Sequence, residues 1–316
     1  ATDTCKDGLE AYERLKTTTY DGVLLDVNMP NMDGLELLER LQKERIKANI
    51  IMVSTLTTED AEVTIIALER GAIDFVTKPT NIVEAKGDKF KNKLITVLSA
   101  VLNTRSYVEA KASGTTSTST DRRNLSAAPL MSKPQGNIKR LTATGRNRLV
   151  AIASSTGGPK ALQDVIPYLD PNMDAPVVLV QHMPAGFTKS MADRLNEISP
   201  INVKEAEDGD VLQKGWVYVA PGGKHMEVKK NPDGSHKIAL NDMPAIGGLR
   251  PCANITYDSL SNTGFDEVVC VVLTGMGADG TNGILSLCQH KPVHVISQTA
   301  ETCVVYGMPK AIAESG

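Results

Sequence analysis

The chain has 316 residues, with 34 Lys and Arg against 37 Asp and Glu and a formal net charge of −3, and its length suggests about two domains. That balance argues against nucleic acid as the main partner, because phosphate-binding proteins carry a basic excess. No apolar run approaches the ~20 residues that span a bilayer, and the charged first stretch holds no signal-peptide core. With no initiating Met, the chain is expected to begin inside a longer protein. The cysteines Cys5, Cys252, Cys270, Cys288 and Cys303 occur singly, without a C-x-x-C pair. They read as reduced thiols of a cytoplasmic protein, not as a zinc site or disulfide framework.

From the amino end, strand-like and helix-like runs alternate. Val23-Leu24-Leu25 is a short strand ending at Asp26, and Leu35, Leu37, Leu38 and Leu41 give a helix after Asp33-Gly34. Ile50-Ile51-Met52-Val53 is a strand ending at Ser54, and the next helix turns Val63, Ile66, Ala67 and Leu68 inward and stops at Gly71. Asp74-Phe75-Val76-Thr77 is a strand broken by Lys78-Pro79, and a long amphipathic helix runs towards residue 103. This alternation predicts a parallel sheet with helical cover.

Residues 104–147 carry thirteen Ser and Thr, eight basic and two acidic residues, and few large apolar side chains. Such a segment cannot bury enough surface to offset its ordering entropy and is expected to be a flexible tether. The α/β alternation then resumes. Leu149–Ala153 is a strand leading into Ser154-Ser155-Thr156-Gly157-Gly158-Pro159, Val177–Gln181 is a strand ending at His182, and Val268–Leu273 is a strand ending before Thr274. Asn231-Pro232-Asp233-Gly234 marks the turn of a hairpin insert. No internal repeat is evident.

In the first block Asp26, Ser54 and Lys78 all end successive strands, on the rim where open α/β sheets bind ligands. Each alone fits an ordinary strand end. Together they can form an acceptor aspartate whose acyl phosphate is hydrogen-bonded by Ser54 and neutralised by Lys78. The run Leu24-Leu25-Asp26-Val27-Asn28-Met29-Pro30-Asn31-Met32-Asp33-Gly34, then Val53-Ser54, then Phe75-Val76-Thr77-Lys78-Pro79, resembles a two-component receiver domain. The resemblance implies a flavodoxin-like fold, Asp26 as phospho-acceptor, and Phe75 as the aromatic whose packing reports phosphorylation. It also implies Mg²⁺ as the cofactor of phosphorylation, with Asp26 as one ligand. The acidic pair that supplies the other ligands belongs to a first strand that this chain lacks.

In the second block a hydroxyl at a strand-to-helix turn lies near free helix N–H groups. This suits a nucleophile attacking a carbonyl, anion binding, or a plain helix cap. Ser155, His182 and Asp279 all fall at carboxyl strand ends, in the roles of nucleophile, general base and orienting carboxylate. Their order differs from the Ser…Asp…His order of the α/β-hydrolases, and the elbow does not fit G-x-S-x-G. His225, after a Gly-rich turn, is the competitor for the base. Gly275-x-Gly277-x-x-Gly280 matches a dinucleotide fingerprint, but Asp279 would face the pyrophosphate.

Ser155-Thr156-Gly157-Gly158, Val180-Gln181-His182-Met183-Pro184 with Gly186-Phe187-Thr188, Val219-Ala220-Pro221-Gly222, His225-Met226-Glu227, Leu273-Thr274-Gly275-Met276-Gly277-x-Asp279-Gly280 and Gly307-Met308-Pro309 resemble the chemotaxis response-regulator methylesterases. So does the order receiver, linker, catalytic domain. The resemblance implies an enzyme that hydrolyses glutamate methyl esters on methyl-accepting chemoreceptors and deamidates receptor glutamines. It further implies a chemotaxis histidine kinase as phosphodonor, no cofactor for ester hydrolysis, and neither nucleic-acid binding nor membrane insertion. Ser155, His182 and Asp279 take the catalytic positions by motif. Ala153-Ser154 stands where many members have Gly-Ala, so Ser154 is a rival hydroxyl, with Ser155 nearer the helix amides. Backbone N–H groups near Thr156 and Met276 are the candidate oxyanion donors.

The expected architecture is therefore an N-terminally truncated receiver over residues 1–103, a linker over 104–147, and a doubly wound, mainly parallel α/β catalytic domain with a β-hairpin insert over 148–316. An unphosphorylated receiver packed over the catalytic rim would block a bulky protein substrate. A non-enzymatic adaptor is disfavoured because the three catalytic residues are present, and a transcription factor because 148–316 holds no basic recognition helix.

Overall fold

The computed structural model describes residues 2–79, 90–92, 94–102 and 147–315. The predicted tether, apart from Asn147, lies outside these residues. The first block runs α1 (Gly8–Thr17), β1 (Val23–Asp26), α2 (Gly34–Lys43), β2 (Ile50–Ser54), α3 (Thr58–Glu69), β3 (Asp74–Thr77) and α4 (90–92 and 94–102). The strands form a parallel sheet in the order β1-β2-β3. Local sequence sets the helix starts: Asp7 caps α1, Thr57 caps α3, and Asp33 with Glu36 forms a reciprocal capping box on α2. The α3 face differs from expectation. Ile65 is buried while Val63 and Ile66 are half-buried, because α3 is also covered by a helix of the second block.

The second block contains β4 (Arg148–Ser154), α5 (Gly158–Val165), β5 (Val177–Gln181), α6 (Phe187–Ile198), β6 (Asn202–Glu205), β7 (Trp216–Val219), β8 (His225–Lys230), β9 (His236–Asn241), α7 (Ala253–Ser259), β10 (Glu267–Val272), α8 (Thr281–Cys288), β11 (Val293–Ser297) and α9 (Met308–Ala313). Six strands form a parallel sheet ordered β11-β10-β4-β5-β7-β6. The remaining two, β8 and β9, form the predicted antiparallel hairpin. The near-continuous apolar runs of β4 and β5 follow from burial on both faces: every residue from Val177 to Gln181 is buried.

Chain order reverses about β4, which lies between β10 and β5. Such a switch point opens a crevice at the carboxyl ends of the strands. Register aligns those ends: Ser154 pairs with Gln181, and Ala153 with Val272. One apolar cluster runs through the first block and continues through Phe75 and Phe187 onto one face of the second sheet. A smaller one gathers Ile51, Val76 and Val97 in the first block, and a separate cluster fills the other face of the second sheet.

Candidate active site

Three loops leave the aligned strand ends side by side. The first leads from β4 into α5, where Gly157 has φ +76° and Pro159 sits in the first turn, a combination of left-handed glycine and N-terminal proline that turns the chain sharply into the helix. Ser154 is fully buried and donates its hydroxyl to Gln181 Oε1 at 2.7 Å. Gln181 Nε2 in turn donates to the Ser155 carbonyl at 2.9 Å. Ser154 thus fastens the elbow, and Ser155 is the hydroxyl left facing the open side. The Ser155 side chain has no hydrogen-bond partner among the described residues and lines a cavity of about 450 Å³.

His182 follows β5 and lines the same cavity. Its Nε2 is 2.8 Å from Asp279 Oδ2, which leaves Nδ1 as the nitrogen available to a neighbouring hydroxyl. Asp279 is buried and also accepts the backbone N–H groups of Ala253 (2.6 Å), Asn254 (3.1 Å) and Gly280 (3.0 Å) and the Cys252 thiol (3.1 Å). Burial alone would raise this carboxyl, but His182 and these donors outweigh it and hold the pKa at about 2. The anion sits at the N-terminus of α7, where helix amides favour negative charge. Burial of the Cys252 thiol, with the Asp279 charge beside it, pushes it up to about 11, so the thiol remains a donor.

The third loop, after β10, brings the backbone of Gly275 and Met276 to the serine. Ser155 N–H donates to the Thr274 carbonyl at 3.0 Å, and a Cβ on Gly275 would lie 2.9 Å from that of Ser155, so only glycine permits the approach. Thr274 Oγ1 donates to the Thr156 carbonyl and accepts Val305 N–H, both at 2.9 Å. The N–H groups of Thr156 and Met276 donate to no acceptor among the described residues, and both residues line the cavity. Unused backbone donors on a cavity wall are the groups from which an oxyanion hole is built.

His225 is buried and its Nε2 lies 3.2 Å from the Pro244 carbonyl, which removes it as a rival base. Gln181, Thr274, and Cys252 with the start of α7 carry no chemistry visible in the sequence beyond membership of the motifs or, for Cys252, no signal at all.

On the receiver rim, Lys78 Nζ contacts both Asp26 oxygens at 2.8 and 2.7 Å. Ser54 is buried and turned elsewhere: Thr64 donates to it at 2.8 Å, and it lies 3.4 Å from the Asp60 carbonyl. Among the described residues no three His, Cys, Asp or Glu side chains cluster as metal ligands. With both Asp26 oxygens on Lys78, these residues do not assemble a Mg²⁺ site. Phe75 stacks on Phe187 with centroids 4.5 Å apart, and Asp74, Phe75, Thr96 and Val97 of the receiver help line the cavity that holds Ser155 and His182. Arg194 of α6 grips Glu69 of α3 with two bonds, at 3.1 and 2.9 Å. No helix among the described residues is long and apolar enough to cross a membrane.

Both blocks of the chain have known relatives. Residues 150–316 match the CheB methylesterase family model and residues 1–86 the response regulator receiver domain. A protein-glutamate methylesterase/protein-glutamine glutaminase of Geobacillus kaustophilus is 40% identical over 314 residues, covering 99% of this chain and 84% of the relative. A protein of the same name from Thermotoga maritima is 38% identical, covering 98% of this chain and 84% of the relative. The crystal structure of the Thermotoga maritima CheB methylesterase catalytic domain is similar at 44% identity and a TM-score of 0.52, covering 54% of this chain and 89% of that one. This chain belongs to the CheB methylesterase family, with a response-regulator receiver joined to the catalytic domain.

Proposed function

We propose that the chain is a phosphorylation-regulated hydrolase of protein glutamate methyl esters that also deamidates protein glutamine, with Ser155, His182 and Asp279 as its catalytic residues. The proposed units are a receiver over residues 1–103, a linker over 104–147 and a catalytic domain over 148–316. The observation that carries the reading is the 2.8 Å contact between His182 Nε2 and buried Asp279 in a cavity that Ser155 also lines. Asp279 fixes the tautomer with its proton on Nε2 and stabilises the imidazolium once it forms.

His182 Nδ1 takes the Ser155 hydroxyl proton as Oγ attacks the ester carbonyl carbon. The oxyanion of the tetrahedral intermediate accepts the N–H groups of Thr156 and Met276. The C–O bond to methoxide breaks, His182 returns the proton, and methanol leaves. Water, deprotonated by His182, then attacks the acyl-enzyme and releases glutamate. With glutamine the leaving group is ammonia.

Asp26 is the proposed phospho-acceptor, with Lys78 as its charge partner and Ser54 and Phe75 as switch residues. The proposed substrates are methyl-accepting chemoreceptors, and the proposed phosphodonor is a chemotaxis histidine kinase. With the receiver lining the cavity, a protein substrate reaches Ser155 only if that cover shifts, and added charge at Asp26 supplies the shift.

Methanol release from methylated receptor membranes tests the reading. Ser155→Ala and His182→Ala are expected to abolish it, and wild-type rates in either would refute the assignment.

A further inference from the structure

Among the described residues that line the cavity of Ser155 and His182, Arg250 is the only lysine or arginine. It stands on a braced turn between β9 and α7. Ile246 and Leu249 exchange two backbone hydrogen bonds at 3.1 and 2.9 Å, and Gly223 N–H holds the Arg250 carbonyl at 3.0 Å. Its Nη1 donates to the carbonyl oxygens of Asp242 and Met243, both at 3.2 Å. These contacts hold the guanidinium without neutralising it, and no carboxylate pairs with it among the described residues. Lys224 nearby does have one, Asp242 at 3.7 Å.

An oriented guanidinium with unfilled donors is suited to bind a planar anion. The ester under attack is uncharged, so it does not meet that need. A carboxylate on the same polypeptide, close to the esterified glutamate, does. Ser155 and Arg250 line one cavity of about 450 Å³, and side chains a helical turn or a few extended residues apart on one peptide are the neighbours suited to reach both. In the covered arrangement the receiver's Asp74 is the one carboxylate among the described lining residues. Exposed Met243, Ile246 and Met276 add apolar surface for the backbone and stems of a bound peptide.

We infer that Arg250 is a specificity residue that reads a carboxylate neighbouring the scissile ester, so that the enzyme favours glutamate esters set in acidic sequence. The inference rests on the hydrolase reading above and extends it to the substrate's flanking charge.

The test uses the full chain and synthetic peptides carrying one glutamate methyl ester, with a single Glu, Gln or Lys moved through the four positions on either side. Methanol release gives kcat/KM for wild type, Arg250→Gln and Arg250→Glu. For at least one position wild type is expected to favour Glu over Gln by about 5- to 10-fold, with the preference falling as salt rises. Arg250→Gln should equalise the pair, and Arg250→Glu should favour the Lys peptide. A small neutral fluorophosphonate that labels Ser155 reports that each variant retains its folded nucleophile. Cleavage with no wild-type preference at any position, or the wild-type ratio retained in Arg250→Gln, overturns the inference and leaves the hydrolase intact. Absence of both wild-type cleavage and Ser155 labelling overturns both.

Discussion

The ring of Phe75 lies on the ring of Phe187, 4.5 Å between centroids and 13° from parallel, and both side chains are buried. One belongs to the last described strand of the receiver and the other opens the helix that follows His182. The aromatic expected to report phosphorylation therefore lines the same cavity as Ser155, the proposed nucleophile.

Loosening that contact should release activity. A stacked pair contributes about 0.5–1.5 kcal/mol beyond its buried area. Phe75→Ala in the unphosphorylated chain is expected to raise methanol release about 2- to 10-fold by the same arithmetic. A fragment starting at residue 147 should exceed both. Equal rates for the fragment and the whole chain would show that the receiver does not limit access.

The two adjacent serines should separate cleanly. Ser155→Ala is expected to lower kcat by at least about 10³-fold. Ser154→Ala should retain turnover but destabilise the fold by about 1–3 kcal/mol, since Gln181 Oε1 loses its buried donor. Steady-state kinetics beside urea unfolding of the two variants would decide it.

Asp279 makes stability depend on acid. Its pKa falls from 3.8 to about 2 on folding, so its contribution is fully present above the unfolded value and is lost as pH falls through the folded one. The shift corresponds to about 2 kcal/mol between roughly pH 5 and pH 2. Asp279→Asn should flatten that part of the stability profile by a similar amount, read from denaturant titrations at each pH. Because the wrong tautomer of His182 would then be favoured, kcat should fall by about 10³- to 10⁴-fold.

The thiols should react in two classes. Cys5 and Cys288 are exposed. Burial holds Cys252 at about 11 and Cys303 at about 12, and pushes buried Cys270 higher still. A colorimetric thiol reagent at pH 8 is expected to find two fast cysteines in the native chain, with the others following on unfolding. A fast signal from Cys252 would contradict the packing around Asp279.

Strand ends and helix starts were legible because they obey local rules. Asp26, Ser54, Lys78, Ser155 and His182 each follow a short apolar run, and the turn at Asn231–Gly234 closes the hairpin that it announces. What the sequence concealed depends on contacts between distant segments. Gln181 earns its role through Ser154, 27 residues away, and Thr274 through Thr156, 118 residues away. Cys252 and the first amide of α7 meet Asp279, 27 and 26 residues away, across the loop that follows β10. Nor does periodicity show that Ile66 of α3 lies beside Ser190 and Arg194 of α6, since that face is set by the other domain.

Ser54 is tied to Thr64, and Thr64 lies on the same helix as Glu69, which holds Arg194. On the proposed reading, a Ser54 that turns to a phosphoryl group on Asp26 gives up its bonds to that helix. The input would then be a hand-over whose recoil reaches a rod already gripped at its far end by the other half of the chain, a mechanical lever beside the electrical one.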